Sequence, residues 1–285
     1  MNKVMDTIKD FNIPSTFTRL YLNRLASNLK TLLFALLFSF SWQSAVAAED
    51  FTEFKGRKLT EVEVRQQAQD LMQWSIAHNA KAERKMLPAE YSSIKRYGRV
   101  DYDVINEYMR KGEPERYLGP MFDDSIKSSV SNIRSALNKL PNYKGTVYRG
   151  SSIKNSLLDR LNIGDILYER AFLSTSTIPN VAFNFSSAGA IEGRSAAQFK
   201  IELKSSGRAI NAYTFKDYEA EVMAKPNTYF RVEAIERVSA NQNFIKLREV
   251  KNPAKYVSAD PDIHVYDSYS GEEVAVRSRS ALRCL

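Results

Sequence analysis

Two glutamates, two serines and one arginine stand at spacings that could do chemistry on a charged ligand. In Tyr218-Glu219-Ala220-Glu221-Val222 the acids are two residues apart. A β-strand sends residues i and i+2 to the same face, so this spacing predicts Glu219 and Glu221 as neighbours, with Tyr218, Ala220 and Val222 turned away. Adjacent carboxylates repel, and a cation, a polar ligand or solvent is expected opposite them. Phe172-Leu173-Ser174-Thr175-Ser176 likewise places Ser174 and Ser176 on one face of an otherwise buried run, where hydroxyls need partners. Gly145-Thr146-Val147-Tyr148-Arg149-Gly150 ends a short apolar strand in a planar fork of donors beside a glycine, which suits a phosphate or pyrophosphate.

The elements that must position these groups fall into two halves. Thr60-Glu61-Val62-Glu63 is a capping box opening a helix to about Met86, with Val64, Ala68, Leu71 and Ile76 inward. A second piece follows Pro88. Asp101 is expected to cap a third helix, with Val104, Ile105, Tyr108 and Met109 inward and Gly112 as its stop. Ile126, Val130, Ile133, Leu137 and Leu140 form a further helical stripe ended by Pro141. Beyond Pro141 the period becomes two, with strands expected at 146–149, 166–175, 197–203, 218–223, 229–237 and 244–250. Helices followed by strands indicate an α+β fold. Residues 251–285, with Pro253, Pro261 and Ser270-Gly271, read as a weakly structured extension.

Composition narrows the function classes. The 285-residue chain is 44% apolar and 26% charged, a globular balance. One cysteine, Cys284, rules out an intramolecular disulfide, and it could be a free or an intermolecular thiol; with only His78 and His264 beside it, no metal site is expected. The net charge is +8, but no dense basic run marks a nucleic-acid groove. Residues 1–47 carry Lys3, Lys9, Arg19, Arg24 and Lys30 against Asp6 and Asp10, then the uncharged run from Thr31 to Trp42 and Ala45-Val46-Ala47. This is the pattern of a signal peptide cleaved after Ala47. Twelve residues fall short of the roughly 20 that span a bilayer, so a secreted protein without membrane insertion is expected.

Taken in order, an aromatic-Arg-Gly strand, Ser-Thr-Ser 25 residues on and Glu-x-Glu 45 residues later resemble the signature of arginine-directed mono-ADP-ribosyltransferases, the bacterial toxin group of the R-S-E class. Ile105-Asn106-Glu107-Tyr108-Met109-Arg110 is similar to the family's helix before the core. The resemblance implies a catalytic domain over 48–250, with a helical lobe and a core of two packed, mainly antiparallel β-sheets forming an NAD cleft. It implies that Arg149 holds the NAD pyrophosphate, that the Gly150 backbone approaches the nicotinamide amide, and that Ser174 orients Glu221 while Thr175 and Ser176 shape the strand. Phe185 or Phe183 would pack on nicotinamide. The segment Asn211 to Tyr218 resembles a target-recognition loop, in which Tyr213 and Phe215 either meet the target or pack in the core. A host protein bearing an acceptor arginine is the implied partner of a monomeric enzyme.

The chemistry accounts for two acids. Breaking the nicotinamide–ribose bond builds positive charge on the ribose, which a fixed carboxylate, Glu221, stabilises on the way to the transition state. A guanidinium is protonated and a poor nucleophile, so Glu219 would orient it and take its proton. Two other readings remain open from sequence: an NAD glycohydrolase needing Glu221 alone, and a non-catalytic secreted binding protein.

Overall fold

Thr60 and Glu63 form the capping box expected of them. In the computed structural model, which describes residues 58–187, 191–239 and 242–276, Thr60 Oγ1 accepts from the Glu63 amide while Glu63 Oε2 accepts from the Thr60 amide at 2.8 Å. The export segment expected over 1–47, and Cys284, lie outside the described residues. Helix α1 (Glu61–Glu83) turns inward the face expected of it as far as Leu71, which is buried, with Val64 and Ala68 packed against the same core. Ile76 is 63% exposed, and the buried set is Leu71, Ser75, Asn79 and Ala82. Ser75 donates to Asn211 Oδ1 (2.7 Å) and Asn79 to the Ala209 carbonyl (3.3 Å), so beyond Leu71 polar ties continue what the apolar stripe begins.

Helix α2 (Pro88–Arg96) runs through one π turn (Tyr97–Asp101) into α3 (Tyr102–Arg110). Asp101 makes no side-chain cap, because the chain enters α3 already helical; its carboxylate pairs with Arg96 at 2.8 Å. Val104 is exposed, while Ile105, Tyr108 and Met109 are buried as expected. Helix α4 (Pro120–Lys139) buries Ile126, Val130, Ile133 and Leu137. These side chains share one apolar cluster with Tyr97, Phe172, Ile210, Tyr213 and Met223. The helices thus pack directly on the segments that flank Ser174 and Glu221. Each well-buried aliphatic side chain contributes roughly 1.5–3 kcal/mol to that contact.

The strands are β1 (Tyr143–Lys154), β2 (Ile166–Glu169), β3 (Leu173–Ser176), β4 (Arg194–Ala209), β5 (Glu221–Ala224), β6 (Thr228–Ser239), β7 (Gln242–Val250) and β8 (Val265–Asp267), with the short helices α5 (Asn155–Leu158) after β1 and α6 (Pro179–Ser187) after β3. They pair in the order β1-β3-β5-β4-β7-β6-β2-β8, antiparallel except for β4–β7 and β2–β8. Strand β4 is shared between two groups. Its residues 197–202 lie between β1 and β7, whereas 207–209 pair with β5. Because β1 also meets β3, the strands β1, β3, β5 and β4 close a ring. Val147, Leu173 and Val222 on one group share a core with Phe230, Val232, Ile245 and Leu247 on the other. The mainly antiparallel, two-layered core expected from the resemblance is therefore built around β4.

Glu249 holds the bulge in β4, where the pairing with β1 skips from Leu203 to Gly207. Its carboxylate accepts from the amides of Lys204 (2.7 Å), Ser205 and Ser206 (both 3.0 Å) and from both serine hydroxyls. Burial alone would raise its pKa, but these donors hold it below the ordinary value.

Residues 251–276 are not weakly structured. Helix α7 (Pro253–Ala259) follows β7, and β8 pairs in parallel with β2, which would otherwise be an edge. Ile166, Val250 and Val265 form a small core with Tyr256 and Ile263. The run that makes β8 is only three residues long, too short to stand out between Pro261 and Gly271.

Candidate active site

Glu219 and Glu221 reach the same cleft by a route other than strand alternation. Strand β5 starts at Glu221; Asp217–Glu219 is a 3-10 turn, and Ala220 lies in the left-handed region at φ +46°, ψ +54°. An alanine there costs roughly 1–2 kcal/mol, so neighbours must hold it. They do. The Ser176 hydroxyl donates to the Glu219 carbonyl at 2.6 Å, the Thr177 amide donates to the Ala220 carbonyl at 3.2 Å, and the Ala220 side chain is buried.

Glu221 is 8% exposed. Burial pushes its carboxyl up to about 7, the Glu219 charge adds to the rise, and the Ser174 hydroxyl, Lys216 and Arg149 pull the other way. Ser174 also lies 3.4 Å from the Tyr97 hydroxyl, which accepts from Asn106 Nδ2 at 2.8 Å. Burial raises the Tyr97 phenol to about 12, so it stays a neutral hydrogen-bonding post between α3 and β3. Arg149 donates to the Ser174 carbonyl at 2.7 Å, which pins the guanidinium to β3. Burial and the nearby Arg110 lower its pKa, while Glu169, Tyr97 and Glu221 oppose the shift.

The remaining expected residues divide by what they touch. Thr175 donates to the Val222 carbonyl at 2.5 Å, and Ser176 is spent on Glu219 and the Ile178 amide, so both hydroxyls hold backbone. A Cβ on Gly150 would stand 1.8 Å from the Ala182 carbonyl oxygen, because helix α6 (Pro179–Ser187) rests directly on it. That close contact is a physical reason for glycine here, and it aims α6 at the cleft. Phe185, 51% exposed, lines the cleft, whereas Phe183 lies elsewhere on α6, with Lys58 over its ring at 6.0 Å. Tyr213 is a core residue: it is 2% exposed, donates to Glu83 at 2.9 Å and stacks edge-on with Tyr91, so it cannot meet a target as it stands. Phe215 is 53% exposed, with Lys95 and Arg99 at 4.4 and 5.3 Å from its ring centre.

Arg149, Gly150, Ser174, Thr175, Ser176, Glu219 and Glu221 line one cleft of about 610 Å³, within the range of small-molecule sites. Sequence reasoning did not select Tyr97, Glu169, Arg194 or Tyr269, which line it too. Arg110 had a signal, as the last residue of the helix segment Ile105–Arg110; an isolated Arg194 at a strand start had none. Among the described residues no group of three or more His, Cys, Asp or Glu could hold a metal, and no helix is long and apolar enough to cross a membrane.

Comparison with known proteins gives a consistent result. The family model described as ADP-ribosyltransferase exoenzyme matches residues 72–253. Vis of Vibrio splendidus (strain 12B01) is 34% identical over 259 residues, 90% of this chain and 99% of Vis. The NAD(+)–protein-arginine ADP-ribosyltransferase Tre1 of Serratia proteamaculans (strain 568) is 29% identical over 49% of this chain and 27% of its own length. The solved structure of ADP-ribosyltransferase Vis in complex with agmatine superposes with a TM-score of 0.67 at 34% identity, covering 79% of this chain and all of that one.

Proposed function

The chain belongs to the ADP-ribosyltransferase exoenzyme family, and on that premise we propose that it transfers ADP-ribose from NAD to arginine side chains of a target protein. The observation that supports this most is Glu221, a buried carboxylate facing Ser174 with Arg149 and Glu219 beside it. In this reading Arg149 holds the pyrophosphate and Glu221 stabilises the charge that grows on the ribose as the bond to nicotinamide breaks. Nicotinamide leaves as the neutral base. A guanidinium nitrogen then bonds to the same ribose carbon and passes its proton to Glu219. The relative solved with agmatine, a guanidine, supports an acceptor of this chemistry.

Export completes the proposal. Residues 1–47 are read as a cleaved signal peptide and the rest as a secreted toxin or effector, as the name Vis toxin suggests for the relative. A secreted species beginning at Ala48 in the mass spectrum is the expected result, and an uncleaved chain retained in the cell contradicts it.

A glycohydrolase reading has one observation in its favour. Lys216 Nζ already sits 3.0 Å from Glu219, so that acid has a cationic partner before any acceptor arrives, and water needs only Glu221. Labelled NAD with agmatine separates the two. ADP-ribosyl-agmatine as the main product supports transfer; free ADP-ribose alone supports hydrolysis; no NAD consumption removes both. The same assay carries a pH prediction. Glu221 must be ionised to act, so kcat/KM is expected to fall tenfold per unit below about 7, where an ordinary glutamate would hold it flat to about 4.5.

A further inference from the structure

The cleft extends past the domain that the family model matches. That match stops at residue 253, yet Ser268 and Tyr269 line the cleft. Both sit on a turn after β8 that is fixed from several sides. The Asp267 carboxylate accepts from the amides of Tyr269 (3.1 Å) and Ser270 (2.8 Å) and pairs with Arg170 at 2.8 Å. Gly271, at φ +71°, donates to the Asp267 carbonyl at 2.9 Å, and the Gly271 carbonyl accepts from Arg160 at 2.6 Å. Ser268 donates to Glu169 at 2.8 Å. A turn so held presents Tyr269 in one orientation.

Two guanidinium groups meet that ring. Arg110 and Arg194 lie 4.5 and 4.8 Å from its centre, and Arg194 also donates to the Tyr269 carbonyl at 3.3 Å. Arg110 is poorly satisfied: its Nε stands 3.6 Å from Glu169 and has no hydrogen-bond partner among the described residues. Tyr269 as a residue is 44% exposed. Strand β1 gives the order of groups along the cleft: Arg149 is tied to the Ser174 carbonyl, and three residues on Ser152 accepts from Arg194 Nε at 2.8 Å, the guanidinium that meets Tyr269.

We propose that Tyr269, presented by the turn 267–271 from outside the matched domain, is the aromatic platform for the adenosine half of NAD. The inference rests on the reading above: with the reacting ribose at Glu221 and the pyrophosphate at Arg149, the next moiety along the dinucleotide is the adenosine. A purine can lie on the exposed part of the ring, and Arg110 and Arg194 beside it can reach the adjoining phosphate and ribose. Base–aromatic stacking of this kind is worth about 1–3 kcal/mol, or about 5- to 150-fold in affinity.

Calorimetric titration with ADP and with nicotinamide, on the wild type, Tyr269→Ala and Tyr269→Phe, tests this without needing turnover. ADP binding is expected to weaken about tenfold in Tyr269→Ala and to recover in Tyr269→Phe, with nicotinamide binding unchanged in both. Steady-state kinetics should show a raised KM for NAD with kcat within about twofold. Unchanged ADP affinity in Tyr269→Ala overturns the proposal, as does equal weakening of ADP and nicotinamide, which would mark a merely structural turn. Wild type that binds ADP through Tyr269 but never consumes NAD would leave this inference standing and remove the transferase reading.

Discussion

Glu221→Gln is expected to lose both ADP-ribosyl transfer and NAD hydrolysis by about 10³-fold while gaining stability above neutral pH. The loss follows from chemistry: glutamine keeps the shape and can still accept from Ser174, but carries no charge to meet the ribose as nicotinamide leaves. The gain follows from burial. The folded protein holds the Glu221 carboxyl up to about 7, above its ordinary value of 4.5. Between those values the folded state binds a proton that the unfolded chain releases, so stability falls as pH rises through the window and the cost stays constant above it. The cost is on the order of 3 kcal/mol, and removing it should raise Tm by several degrees at pH 8 but little at pH 4.5. Thermal melts at both pH values beside paired activity assays read this directly. A variant less stable than wild type at pH 8, or one that loses a single activity, would contradict the role given to Glu221.

Glu219→Gln is expected to divide the two activities. Transfer to agmatine should drop about 10²- to 10⁴-fold, the scale of a lost general base, while NAD hydrolysis stays within a few-fold. A water molecule attacking the ribose needs no acid to strip a guanidinium, and Ala220 in its left-handed turn still presents position 219 to the cleft. The ratio of ADP-ribosyl-agmatine to free ADP-ribose is the quantity to measure. Equal loss of both products would mean that the two acids act as one unit and that their separate assignments are wrong.

Much of this site was legible because strand periodicity and motif order constrain each other. The Ser-Thr-Ser run and Arg149 fall on strands as read, and the Arg149 guanidinium donates to the Ser174 carbonyl. Both acids of the Glu-x-Glu pair line one cleft, but strand alternation is not what brings them there. Alternation requires a strand through Glu219, whereas the chain reverses at Ala220; alanine carries no signal for a left-handed residue as glycine or asparagine would. The hydroxyl of Ser176, 43 residues away, supports that turn, and no local pattern encodes so distant a contact. Long range also explains the second half of α1, where Ser75 and Asn79 are buried in place of Ile76 because Asn211 and Ala209 receive them. Tyr213 and Phe215 illustrate a limit of composition: two aromatics two residues apart read alike, and only packing sends one to Glu83 and the other to solvent. Tyr269 was hidden because β8 is three residues long and owes its place to β2.

In the proposed mechanism Arg149, Ser174, Glu219 and Glu221 act on one bound dinucleotide. A crystal structure with an NAD analogue whose nicotinamide–ribose bond cannot break measures this most directly. The expected complex has the pyrophosphate on Arg149, the nicotinamide-ribose carbon about 3–4 Å from the Glu221 carboxylate and Glu219 facing the open side from which an acceptor approaches. A dinucleotide bound in the reverse direction, with adenosine against Glu221, or bound outside the cleft, would contradict the account.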